Sequence, residues 1–346
     1  SVVPKVERVF PGKGLEFTKA WRAKQFEYGF LRSITDRHDD FFKVTEDALV
    51  YTAEAMKLEL SPRDKEALLG AYLSLTPWPD AIAGLKALGI GGGNPELAKL
   101  HPQSHQGVCA DAIATLEGIS RQDVDALGLE SQRRADAAIK GGRFKKSLVP
   151  VYREDGSLAL DREEYPRPGT TMEALSQLKP AFPAIADHAL DEKGTTYRKL
   201  ILDKYPDLDI DFVHHAGNSS GVVDGAAAIL LASPDYAKKH GLKPRARVVA
   251  TANMGDSPTL MLNAPVPATR KVLEKAGLTI DDIDLFEINE AFAVVAEKYI
   301  RDLELDRDKV NVNGGSIALG HPIGATGSLL IGTLLGELER RDLKRG

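Results

Sequence analysis

Residues 311–330 read NVNGGSIALGHPIGATGSLL, a lone histidine, His321, pinned by Pro322 within glycines 314, 315, 320, 324 and 327. Glycine at these positions lets backbone approach backbone or ligand closely. From residue 313 the stretch follows the apolar run KVNV at 309–312, and it leads into a small-residue helix. It therefore reads as a turn just past the end of a strand, where layered α/β proteins gather their catalytic groups. A second turn fits the same rule: EINEAFA, 287–293, follows IDLFEI and puts Asn289 and Glu290 at the mouth of a helix. The bland alternative is a tight turn with glycine-mediated helix packing and a satisfied histidine. No Gly-Lys-Ser/Thr follows, which excludes a phosphate-binding P-loop.

Working outward, the texture from about residue 211 is an alternation of apolar strands and helices. GVVDGAAAILLAS (221–233) reads as a buried helix and ARVVATANMG (246–255) as a strand. PATRKVLEKAGL, EAFAVVAEKYIRD and GATGSLLIGTLLGELERR read as helices, and IDLFEIN and KVNVNGG as strands. This order predicts an α/β layered sheet. Residues 143–210 are polar and proline-rich, an irregular excursion around one short helix. Before it, Ser120 with Asp123 resembles a capping box, and Gly141-Gly142 supplies the stop of the intervening helix. Residues 1 to about 90 read as helices with short turns: Leu15, Phe17, Trp21, Phe26 and Phe30 fall on broadly one side, and Ser61, Pro62 and Asp64 open a later helix. LGIGGGNPE, 88–96, breaks any periodicity and marks a boundary.

Composition sets outer limits. The chain has 346 residues, 43% of them hydrophobic, and a formal net charge of -5. These values suit about two globular units and argue against a general nucleic-acid-binding surface. The single cysteine, Cys109, leaves no internal disulfide and points to a reducing, cytoplasmic setting. No apolar run is long enough to span a membrane, and SVVPKVERVF lacks the apolar region of a signal peptide. His101 and His105 stand four apart, but Pro102 disrupts the helix that a metal pair needs, so no metal is expected. His214 and His215 alternate along the chain and cannot both face one ligand.

INEAFA, NVNGGSIALGHPIGATG and GNSSGVVDGAAAILL together resemble the three signature blocks of the thiolase family, in that family's order. HQGVCADAIATLEGISRQDVDALGLESQRRADAAIKGGRFKKSLVPV and RPGTTMEALSQLKPAF are similar to the family's loop domain, so the likeness covers about residues 93–346. It implies a thiolase-like C-terminal half-core with a loop domain, 91–210 and 211–346, and acyl transfer between a 3-ketoacyl-CoA and CoA in fatty-acid metabolism. Coenzyme A would be a substrate, with no separate cofactor. By the same resemblance, His321 activates a cysteine thiolate and helps hold the thioester oxygen, while Asn289 positions a water beside it. Ser220, His105, Gly320 and Gly324 would face the CoA, His105 in a block where Gln106 replaces the family's methionine. The family's nucleophile, in a Cys-x-Ser-Gly loop, and its second cysteine, in a Cys-x-Gly-Gly turn, have no counterpart here. Cys109 stands where a threonine or other small residue is usual and reads as a buried, inert thiol. A half-core without its last strand also implies a homo-oligomer or a partner chain covering the truncated sheet.

The first ninety residues resemble something else. SVVPKVERVFPGKG, WRAKQFEYGFLRS, FFKVTEDALVYTAEAMKLELS and LLGAYLSLTPWPDAIAGLKAL are similar to the helical cap of type II L-2-haloacid dehalogenases, over residues 1–88. That likeness makes Arg22 a halide contact and places apolar residues near Phe26 and Phe41 in its pocket, and it makes the chain chimeric. Beside acyl transfer, two other readings follow: a noncatalytic CoA-binding or scaffold protein, and a remnant of a 2-haloacid dehalogenase.

Overall fold

The computed structural model describes residues 2–34, 41–73, 103–153, 155–191 and 193–346. The chain divides into two compact units, Ser1–Pro95 and Glu96–Gly346. The first unit holds helices α1 (Val3–Val9), α2 (Gly14–Ile34), α3 (Phe41–Ala55) and α4 (Pro62–Leu73). Phe17 and Trp21, one helical turn apart on α2, are fully buried and pack with Val6, Phe10, Leu49 and Leu68. The Trp21 indole N–H donates to the Thr45 carbonyl at 2.9 Å, so the ring brings no unpaired donor into the core. Leu15 departs from the expected stripe and is 58% exposed, since it sits two residues from Phe17 and thus on another side of the helix. The Ser61 hydroxyl caps α4 by accepting from Asp64 N, as its sequence signal predicts. The side chains of Phe26, Phe30 and Phe41, His101, and the 88–96 stretch lie outside the described residues.

The second unit is built on two helices, α5 (Gln106–Leu116) and α6 (Arg121–Lys140). The capping box of Ser120 and Asp123 is present, and Gly141 closes α6 where the glycine pair predicts. Val108, Cys109, Ala112 and Ile113 of α5 pack with Ile210, Val213, Phe292 and Ile317 in one core. Between α6 and residue 210 lie a short antiparallel hairpin, β1 (Val151–Tyr152) and β2 (Leu158–Leu160), and three short helices, α7 (Met172–Ser176), α8 (Pro183–Ala186) and α9 (Tyr197–Leu202). Arg121 pins this excursion to α6 by donating to the Leu175 and Leu178 carbonyls. Beyond it come α10 (Pro234–Lys239), α11 (Pro265–Ala276), α12 (Ala293–Asp302), α13 (Ser316–Leu319) and α14 (Thr326–Arg341). The last-named helix, α11 and α12 fall where periodicity places them, and Gly277 ends α11 in the left-handed conformation.

The expected strands and the expected helix of 221–233 fare differently. Residues 221–232 form no helix, and Val222 is 89% and Leu231 77% exposed. The stretch 246–255 forms no strand, and Val248 is 66% exposed. IDLFEIN and KVNVNGG meet in one parallel bridge, Phe286 with Val310, rather than in a ladder. The physical reason is twofold. A short continuous apolar run looks alike in a buried strand and a buried helix, and a run becomes a strand only where a neighbouring segment hydrogen-bonds along it. The hairpin of β1 and β2 is the regular sheet present among the described residues.

The α14 helix is tied to the glycine turn before it through Glu337, a carboxylate only 2% exposed. Burial alone would raise its pKa, but Arg340, Asn313 and Arg341 donate to it and bring it down to about 2. A carboxyl depressed on folding stabilises the native state above its ordinary 4.5 and loses that contribution as pH falls toward about 2. Acid unfolding followed by circular dichroism is therefore expected to steepen across that window, and Glu337→Gln to flatten it.

Candidate active site

The turn 313–321 is shaped by a carboxylate beneath it. Glu290 is buried, and burial pushes its pKa up against the pull of the donors around it. Those donors are the Ser131 hydroxyl at 2.7 Å, Asn311 Nδ2 at 2.8 Å and the Ile317 backbone N–H at 3.2 Å. They come from α6, the end of the KVNV run and α13, so one side chain fastens three segments. Gly315 passes so close that a Cβ there would strike the Glu290 carboxylate. At Gly314, φ is +79°, and an added Cβ would lie 2.6 Å from the Ser131 carbonyl oxygen. Both glycines are thus required by space, and Gly314 by conformation as well.

Above this anchor stand the two residues that the resemblance singles out. Asn289 Nδ2 and His321 Nε2 are 3.4 Å apart. The Ser316 hydroxyl donates to Asn289 Oδ1 at 2.6 Å, which turns the amide nitrogen toward the ring. His321 is held by its own N–H donating to the Gly221 carbonyl at 2.8 Å and by a 2.7 Å contact between Nδ1 and the Thr326 hydroxyl. Burial lowers the imidazole pKa below the usual histidine range, so the ring is neutral at physiological pH. It faces an open cavity of about 460 Å³ lined by Val222–Ala227 and Pro322–Ala325. Gly320, at φ +87°, brings the backbone against Val223 on that cavity's wall, where a Cβ would collide. Gly324 lines it and is exposed.

Ser220 is half-buried beside this group, and both its amide and its hydroxyl donate to the Ala291 carbonyl at 3.0 Å. Tyr165 lies over the adjacent Gly221, so the 161–170 loop covers that segment. His105 is elsewhere: it caps α5 by accepting from Gly107 N at 3.1 Å and lies between the rings of Phe182 and Tyr197. Arg22 belongs to the first unit and is exposed on α2. The Cys109 thiol is fully buried in the α5 core and donates to the Thr259 carbonyl, and burial pushes it up to about 12. At that value it is a thiol, not a thiolate, at neutral pH, and a weak nucleophile. No cluster with the makings of a metal site occurs among the described residues.

Sequence reasoning missed the scaffold of the Ser220 segment. His214 Nδ1 pairs with Asp111 at 2.7 Å, and His215 Nε2 with Asp125 at 2.8 Å. Each ring accepts a backbone N–H at its other nitrogen, from Val294 at 3.4 Å and Gly217 at 3.0 Å, which leaves the proton on the nitrogen facing the carboxylate. Adjacent histidines thus pin one strand-like segment to α5 and α6, as their alternation requires. Asn218 completes the group by donating to Asp125 at 2.8 Å. The signal available was an Asp on each helix, but nothing in the spacing says which histidine meets which.

Removing the Ser131 hydroxyl takes from Glu290 its shortest hydrogen bond while leaving the carboxylate buried. Ser131→Ala is expected to destabilise the second unit by about 1–3 kcal/mol, read as a lower urea midpoint.

Comparison with known proteins extends this picture. The family model "Thiolase, N-terminal domain" matches residues 92–186, and "Thiolase, C-terminal domain" matches residues 242–346. An acetyl-CoA acetyltransferase of Thiocystis violacea is 42% identical over 247 residues, 70% of this chain and 56% of that protein. One of Syntrophomonas wolfei is 44% identical over 246 residues, 70% of this chain and 55% of the other. The chain thus spans little more than half the length of these relatives. Human mitochondrial 3-ketoacyl-CoA thiolase superposes with a TM-score of 0.58 at 39% identity, over 68% of this chain and 53% of the human one. A crystal structure of that human enzyme in complex with CoA gives the same score. The α/β, thiolase-like class expected for this part is the one these structures share with it. Over residues 92–346 the chain belongs to the thiolase family.

Proposed function

We propose that this chain holds the thioester-facing half of a thiolase-type acyl-transfer site, acting between a 3-ketoacyl-CoA and CoA, without a sulfur nucleophile of its own. The observation behind it is the convergence of Asn289 Nδ2 and His321 Nε2, 3.4 Å apart beside an open cavity. When a thiolate attacks a thioester, the carbonyl oxygen gains negative charge, and preorganised N–H donors around it lower the barrier. An oxygen within hydrogen-bonding distance of both nitrogens fits such a gap. The neutral ring can also accept a thiol proton in another step of the same cycle. Ser220 and Gly324, near the same cavity, would meet the pantetheine arm, and CoA enters as substrate rather than as a bound cofactor. The supporting relatives are acetyl-CoA acetyltransferases and a 3-ketoacyl-CoA thiolase solved with CoA. Cys109 does not complete the site, because its thiol is buried and bonded to Thr259.

Purified chain is expected to bind CoA and acetoacetyl-CoA in calorimetry and to thiolyse the latter no faster than buffer, with Cys109→Ala changing neither. Thiolysis above buffer that disappears in Cys109→Ala would overturn the assignment.

A second reading, a noncatalytic unit that pairs with another chain, is favoured by the exposure of Val222, Leu230, Leu231, Val248 and Val249 on two strand-length segments. Such residues are typical of covered sheet interiors. Light scattering after size exclusion is expected to give a dimer or larger species, and a well-behaved monomer would count against this reading.

A further inference from the structure

Residues 238–247, KKHGLKPRAR, carry five lysines and arginines and no acidic residue, in a chain whose formal net charge is -5. All of them are exposed. The sequence from Ser233 holds them on a short, well-fastened frame. Pro234 opens α10, the Ser233 hydroxyl accepts from Tyr236 N at 3.2 Å, and Gly241, at φ +63°, turns the chain so that Leu242 N reaches the Ala237 carbonyl at 2.9 Å. Ala237 is the buried side chain of this helix. Tyr236 and Leu242 stand among the basic residues and are 54% and 40% exposed. We propose that this surface docks the protein on an anionic lipid bilayer, with the basic side chains at the headgroups and Tyr236 and Leu242 in the interfacial layer.

Three observations carry this. The first is charge left unanswered. Arg245 is paired with Glu339 of α14, both of its contacts at 2.8 Å, whereas the side chains of Lys238, Lys239, Lys243 and Arg247 make no ion pair or hydrogen bond with a described residue. The second is convergence in space. Arg245 holds the Glu339 carboxyl below the ordinary carboxylate range, and Lys146 and Lys243 add to the pull, so a single acid faces three cations drawn from two segments. The third is the apolar pair. At a bilayer interface a lysine or arginine keeps its charged end in water while its stem, and a neighbouring aromatic or leucine, meets apolar material. A nucleic acid would use the charge and leave Leu242 in water. It would also find one face of the Tyr236 ring covered by His240, whose ring stacks on it at 4.2 Å. With six residues in α10, the contact lies on the bilayer and does not cross it.

The inference does not rest on the acyl-transfer reading, and its probe is lipid rather than CoA. The full chain is sedimented with vesicles of phosphatidylcholine alone and with vesicles in which phosphatidylglycerol replaces part of it. The expected result is binding to the anionic vesicles only, lost as salt rises toward about 0.5 M, where screening confines surface charge to short range. Lys243→Gln with Arg247→Gln is expected to weaken binding about tenfold or more, and Lys238→Gln with Lys239→Gln to do the same. Tyr236→Gln, or Leu242→Ser in its place, is expected to weaken it several-fold at every salt concentration. Circular dichroism should leave the double variants unchanged, because the exchanged side chains bond nothing described; should one pair fail to fold, the other decides. Equal binding to both kinds of vesicle, as the bare apolar stretch 221–231 alone would give, overturns the proposal, as does binding to neither or full binding by the folded double variants. Duplex DNA of mixed sequence bound as tightly as the anionic vesicles, or vesicle binding untouched by Tyr236→Gln and Leu242→Ser, would also defeat it, by making the patch a general polyanion surface.

Discussion

A buried carboxylate that must be surrounded by donors is the constraint from which the geometry of the second unit's candidate site follows. Glu290 cannot sit beneath the glycine turn uncompensated, so α6 supplies Ser131, the preceding run supplies Asn311, and α13 supplies the Ile317 amide. Because those donors belong to segments far apart in the chain, meeting the carboxylate's needs also fixes the distances between them. Asn289, next in sequence to the anchor, is thereby brought opposite His321. The bare backbone around it is the other side of the same requirement, since a side chain at 315 would occupy the space of the carboxylate itself.

The same logic recurs below Ser220. Asp111 and Asp125 lie on two helices, and each takes a histidine from one short segment. Two buried acid–imidazole pairs, with backbone amides filling the remaining nitrogens, leave that segment little freedom. The Ala291 carbonyl, one residue past Glu290, in turn receives both Ser220 donors. The two anchored regions are therefore joined through Glu290 and Ala291, the two residues that follow Asn289.

How much of this was legible depends on the range of the signal. Capping of α6 by Ser120 and its end at Gly141 are decided within a few residues, and both are plain in the sequence. So are α11, α12 and α14, whose apolar spacing is helical. The pairing of Asn289 with His321 is legible only through family resemblance, because no local pattern says that turns thirty-two residues apart converge. The aspartate partners of His214 and His215, some ninety to one hundred residues away, left no trace that spacing could reveal. Residues 221–233 misled for a different reason. Their apolar run has no period, so helix and strand were equally consistent with it, and the outcome is set by neighbours rather than by the run.

That last segment bears on the life of the polypeptide before and after folding. Stretches such as AAAILL and RVVATA, apolar, uncharged or nearly so at their centres and free of proline, are the kind that stack into intermolecular cross-β assemblies when left bare. Elsewhere in the chain, acidic and basic residues crowd the helix surfaces and keep molecules apart; here Val222, Leu231 and Val248 face outward instead. Solubility in a crowded cell would then be governed by how quickly these stretches meet cover, a chaperone or one another, and not by the stability of the helical core that adjoins them.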